Sequence, residues 1–144
     1  MAGVLGTWES DKSVAAQNVD GFMEAMGMAQ RIAHMKDAFT KMTISRDGHN
    51  WTIYIESNRL PAPKTYNIKM GEEFDDVGMD GDTMKVVVNM EGDNKMVEKR
   101  DITRKNNPSA PPVQTIVTRE VHGDVMKVTM TCKDQSMVYQ MKRS

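Results

Sequence analysis

The side chains that ordinarily do chemistry are sparse in this 144-residue chain and poorly placed for it. His34, His49 and His122 stand far apart, and no cysteine or carboxylate falls beside them at a zinc-ligand spacing. Serine, histidine and aspartate all occur, yet none sits in a nucleophile elbow or another catalytic setting. Cys132 alternates with Met130 in a strand-like run, where a lone thiol is ordinarily inert packing. These residues argue against an enzyme, a metal centre or a cofactor. Arg119, between Thr118 and Glu120, is the charged side chain of most interest. By position alone it can face water, in an ion pair contributing about 0 to 1 kcal/mol. It can equally face the interior, where a guanidinium is costly unless paired.

Composition narrows the partners. The 19 basic and 20 acidic residues nearly cancel, so no basic field exists to attract nucleic acid. A chain of this length fits one domain, residues 1–144, and can bury about two-thirds of its unfolded surface. Met1 to Trp8 offers too short an apolar run before Glu9 for a secretory signal, and no later run approaches a membrane span. The single cysteine cannot form an internal disulfide, which fits a reducing compartment and points to the cytosol. Fifteen methionines stand against two leucines, Leu5 and Leu60. Methionine either replaces leucine in an ordinary core or forms a pliable binding surface.

The elements that would position these residues are one helical episode and many strands. From Asn18 to Lys36, Val19, Phe22, Met23, Met26, Met28, Ile32 and Met35 recur at three- and four-residue spacing. Gly27 interrupts them, so the pattern predicts two short helices, with Asn18 as the N-cap and Gly27 as a left-handed stop. Elsewhere the period is two. Trp51, Ile53 and Ile55, then Met84, Val86, Val88 and Met90, then Met126, Val128, Met130 and Cys132 each mark one face of a half-buried antiparallel strand. Turn signals at Asp47-Gly48, Asp80-Gly81, Glu91-Gly92-Asp93 and Gly123-Asp124 fit hairpins. About ten strands follow, without strand-helix-strand alternation, suiting a barrel or a sandwich. An up-and-down antiparallel barrel is favoured, because closure removes exposed edges. Asn58 to Lys64 and Thr103 to Pro112 read as extended loops, the second too polar to pack.

The order of one strand, two short helices and nine strands resembles the fatty-acid-binding protein family, and an invertebrate-like member of it. Gly6-Thr7-Trp8-Glu9 resembles its opening strand, and the stretch Asn18 to Gly27 (NVDGFMEAMG) its first helix. Met70 to Asp75 (MGEEFD) followed by Asp80-Gly81 resembles its mid-barrel hairpin, and Thr118 to Lys127 (TREVHGDVMK) its penultimate hairpin. The resemblance covers essentially the whole chain.

That resemblance implies a mainly β, lipocalin-like fold: a ten-stranded barrel with a helix-turn-helix lid between its first two strands. It implies one long-chain fatty acid or related lipid held inside, entering past Met28 to Lys36, the loop Asn58 to Pro63 and the turn near Asp80. Many members hold the lipid carboxylate with an arginine on the eighth strand and an arginine and a tyrosine on the last. The first maps to Arg119, and the other two to Tyr139 and Met141, so one fixed charge is expected where two are common. Tyr139 adds a hydroxyl able to donate to the same oxygen. Ligand-lining positions are expected at Val19, Met23, Trp51, Ile53, Ile55, Val128 and Met130. The expectation is a monomeric cytoplasmic carrier making transient membrane contact. The alternatives are a carrier of retinoid or another lipid, or a barrel that binds membrane or protein and holds its ligand incidentally.

Overall fold

The structure is a computed structural model that describes residues 3–78 and 81–144. The expected turn residue Asp80 lies outside the described residues. Strand β1 (Gly6–Ser10) leads into helix α1 (Val19–Ala25), a 3-10 turn (Ala29–Arg31) and helix α2 (Ile32–Lys36). Nine strands follow: β2 (Thr40–Asp47), β3 (Asn50–Ser57), β4 (Lys64–Ile68), β5 (Phe74–Val77), β6 (Thr83–Glu91), β7 (Lys95–Thr103), β8 (Val113–His122), β9 (Val125–Cys132) and β10 (Gln135–Arg143). All pairings are antiparallel, in the order β4-β3-β2-β1-β10-β9-β8-β7-β6-β5. The meander brings β1 back against β10, with Trp8 opposite Arg143 and Ser10 opposite Met141. Arg143 seals this seam by lying 4.2 Å from the Trp8 ring and donating to the carbonyls of Leu5 and Gly3.

The expected barrel is present, but the backbone ladder does not close it. β4 and β5 are not hydrogen-bonded to each other, and side chains span the interval instead. Lys64 Nζ lies 2.9 Å from Asp76 Oδ1, the Tyr66 hydroxyl donates to Asp76 Oδ2 at 2.8 Å, and the Tyr66 and Phe74 rings stand 6.2 Å apart. The edge carbonyls and amides are thus shielded by charge and aromatic bulk rather than by a neighbouring strand.

The alternating residues of β3, β6 and β9 point inward as their period requires. Ile53, Val86, Val88, Met126 and Val128 join Trp8, Met96 and Met141 in one buried cluster. A second cluster lies under the helices, where Val19, Phe22, Met23 and Met26 pack on Ile102, Cys132 and Met137. Met84, Met130 and Tyr139 touch both clusters and form the seam between them.

Gly27 adopts φ +74° between the helices, the left-handed stop that a residue without Cβ provides. Asn18 departs from expectation. It is itself left-handed, at φ 56°, and makes no capping bond. Its amide donates instead to Gln135 Oε1 and the Ser136 carbonyl, because the start of β10 lies within reach. The loop after β7 also departs from its polar reading. Arg104 pairs with Asp82 at 2.9 Å and donates to the Met26 carbonyl, and the Lys105 amide donates to Asp82 at 2.8 Å. A cation at the C-terminal end of α1 satisfies a carbonyl the helix leaves free. None of the described helices is long and apolar enough to cross a membrane.

Candidate functional site

The site begins on β7, where Met96, Glu98, Arg100 and Ile102 share one face by strand parity. Met96 and Ile102 are buried apolar residues, so Glu98 and Arg100 between them are carried into the interior. On β8 the inward residues are Thr115, Val117, Arg119 and Val121, all buried. Pairing sets Glu98 opposite Val117 and Met96 opposite Arg119, which leaves Arg119 diagonal to Glu98. Arg119 Nη1 donates to Glu98 Oε1 at 3.0 Å, and Arg100 Nε donates to Glu98 Oε2. One carboxylate thereby serves two guanidiniums, one on each oxygen, and the group keeps one positive charge in excess.

Burial alone would raise the Glu98 pKa, but the Arg100 and Arg119 charges outweigh it and hold the carboxyl at about 2. Arg100 responds in the opposite sense. Burial would lower its pKa, and Glu98 overrides this to raise it. Arg100 is half-buried and lines a void inside the barrel.

Two spaces flank this group. A void of about 60 Å³ inside the barrel is lined by Ile53, Ile55, Tyr66, Phe74, Glu98, Arg100 and Arg119. A cavity of about 600 Å³ between the helices and the barrel mouth is lined by Val19, Met35, Arg59, Met130, Met137 and Tyr139, with Ser10 and Thr40. Register places Arg119 opposite Val128 and Val128 opposite Tyr139, so the tyrosine stands in the same row two strands away. Tyr139 stands near both Arg59, which lines the larger cavity with it, and Arg100, which lines the inner void.

Of the expected ligand-lining residues, Ile53 and Ile55 gather with Arg119 around the inner void, and Val19 and Met130 gather with Tyr139 in the larger cavity. The others fall elsewhere. Trp51 lies beside Arg46, 5.4 Å from its guanidinium, and lines a depression with Gly48, Met70 and Gly92 apart from the charged group. Met23, Val128 and Met141 are buried in the apolar clusters and line neither space. Met141 faces Met126 across β9, so no hydroxyl stands at that position.

One expectation about charge needs correction. Arg119 pairs with Glu98, and it is not the one interior cation of this group, because Arg100 supplies a second on β7, where the resemblance implied one on the last strand. The signal for Glu98 and Arg100 was available as two charges at core parity between Met96 and Ile102. Among the described residues, no group of three His, Cys, Asp or Glu side chains could hold a metal ion.

No family model matches the chain. A fatty acid-binding protein of Schistosoma japonicum is 31% identical over 144 residues, spanning 99% of this chain and 99% of that protein. The chain belongs to the fatty-acid-binding protein family. Human cellular retinoic acid-binding protein 2 is 28% identical over 138 residues, 93% of each chain. Among solved structures, a fatty acid-binding protein of Schistosoma mansoni in complex with arachidonic acid superposes with a TM-score of 0.82. It is 28% identical and covers 100% of this chain and 98% of its own. In this fatty-acid-binding protein the second interior arginine comes from β7, with a carboxylate between it and Arg119.

Proposed function

We propose that the protein binds and carries a long-chain fatty acid, or a closely related lipid acid such as a retinoid, and catalyses no reaction. The observation that carries this reading is the excess positive charge of the Glu98, Arg100 and Arg119 group inside the barrel, beside the apolar core. A buried charge in excess is costly, and a ligand carboxylate relieves that cost with short, charge-assisted hydrogen bonds. Arg119 and Arg100 would hold the carboxylate, and Tyr139 would donate its hydroxyl. Ile53, Ile55 and Met130 would contact the chain, with unbranched methionine adapting to its shape. Relatives named for fatty acids and for retinoic acid support the choice of an acid, since both ligands end in a carboxylate. We further place the carrier in the cytoplasm as a monomer, on the strength of one buried thiol and the barrel's own side-chain closure.

The substitution Arg119→Gln tests this reading, with titration calorimetry of oleic acid and oleyl alcohol. Loss of a charge-assisted bond of roughly 1.5 to 3 kcal/mol should lower acid affinity by about one to two decades. Alcohol affinity should stay nearly unchanged. Because Glu98 pairs with Arg119, the ligand-free variant should not gain stability. Equal weakening of both ligands, or an untouched acid, would remove Arg119 from the head-group site.

A further inference from the structure

Met35 of α2, Met130 of β9 and Met137 of β10 bring their thioethers to the cavity of about 600 Å³ under the helices. Register makes two of them neighbours. Met130 stands opposite Met137, and the next inward pair along the same strands is Val128 opposite Tyr139. Met137 is 1% exposed, so a molecule meets it through the cavity and not from bulk water. A second methionine pair supplies a contrast within the molecule. Met70 and Met90 are half-buried and line the depression beside Trp51, apart from this cavity. A thioether packs as an adaptable apolar group, but it is also a reductant that takes up one oxygen atom to become a sulfoxide. An acid held by Arg100 and Arg119, with its chain along Met130, lies beside this sulfur.

We propose that the cavity methionines reduce a bound lipid hydroperoxide to the lipid alcohol, so that the protein disarms peroxidised cargo as well as carrying intact cargo. This rests on the reading of a lipid acid ligand and adds a reaction that consumes the side chain, so the carrier is a reagent and not a catalyst. The thioether lone pair attacks the outer, hydroxyl oxygen of the hydroperoxide. A sulfur–oxygen bond forms as the oxygen–oxygen bond breaks, and the lipid departs as an alkoxide. The proton on the transferred oxygen then passes to the alkoxide, leaving methionine sulfoxide and the lipid alcohol. Sulfur supplies both electrons and the peroxide accepts them, so no further reactant is needed. In free solution the encounter is bimolecular, whereas a hydroperoxide bound in the cavity is already held beside the sulfur. Hydrogen peroxide has no chain to hold it there and gains nothing.

The test maps sulfoxides by peptide mass spectrometry after treatment with linoleic acid hydroperoxide or with hydrogen peroxide. The lipid hydroperoxide should oxidise Met130 and Met137 at least about tenfold faster than Met70 and Met90, with one lipid alcohol formed for each sulfoxide. Hydrogen peroxide should oxidise Met70 and Met90 first. Saturating oleic acid should protect Met130 and Met137 from the lipid hydroperoxide and leave the attack of hydrogen peroxide on Met70 and Met90 unchanged. In the double substitution Met130→Leu with Met137→Leu, close in volume, the alcohol formed per hydroperoxide bound should fall several-fold. The same order of sites with both oxidants, a cavity oxidation that oleic acid does not slow, or an undiminished alcohol yield from the double variant would overturn the proposal. Calorimetry of oleic acid with the wild type and Arg119→Gln needs no peroxide, so it shows failure of the acid reading separately. A protein that binds oleic acid normally and gives no sulfoxide at Met130 or Met137 fails here alone.

Discussion

The depth of the cavity and its mouth use the same guanidinium group in different electrostatic states. In the depth, Arg100 and Arg119 are fixed on two strands of a continuous ladder, and Glu98 meets each of them. At the mouth, Arg59 sits on a loop with its Nε unmet. The elements around them follow the same division. Helix α1 buries Val19, Phe22 and Met23 against β9 and β10, and Arg104 holds its last turn, whereas α2 buries no residue. The difference separates a layer that can hold charge permanently from a rim whose interactions are incomplete until something enters. Rigid ion-pair geometry suits the first, because a buried pair is tolerable only when its hydrogen bonds are complete. Incomplete bonding and shallow packing suit the second, where low local stability permits opening.

The largest expected effect comes from breaking the deep layer. Glu98→Gln leaves two guanidiniums facing a neutral amide and should destabilise the ligand-free protein by roughly 3 to 5 kcal/mol in urea unfolding. Saturating oleic acid should restore part of that loss, since its carboxylate brings back a negative charge. An unchanged unfolding midpoint would mean that the network contributes nothing to the fold.

Acid provides a gentler probe of the same layer. The folded-state pKa of Glu98 is lowered from 4.5 to about 2, so its contribution is fully present above about pH 4.5 and is lost as pH falls through about 2. The total is on the order of 3 kcal/mol at most. Urea midpoints measured from pH 5 down to pH 2 should fall more steeply for the wild type than for Glu98→Gln. Parallel curves would assign the acid sensitivity to other carboxylates.

The smallest effect belongs to the rim. Met35→Ala, in a helix without a buried residue, should cost about 1 kcal/mol or less, against the larger losses usual for core methionines. A drop in melting temperature as large as that of Glu98→Gln would erase the distinction between depth and mouth.

Sequence alone determined much of the scaffold, because its signals are local. Period-two runs such as Trp51-Ile53-Ile55 and Met126-Val128-Met130 place side chains on one face whatever their partners, and a helix stop at Gly27 needs only that residue's tolerance of positive φ. Even the inward turn of Glu98 and Arg100 is a matter of parity along one strand. Tertiary structure decided which charges meet. Whether Arg119 is neutralised depends on the register between β7 and β8, which joins residues 21 apart in the chain. The side-chain closure between β4 and β5, the failure of Asn18 to cap and the inward turn of Arg59 depend likewise on neighbours supplied by other elements. Composition names the groups present, but an ion pair forms or fails over a few ångströms, and only the folded chain fixes distances at that scale.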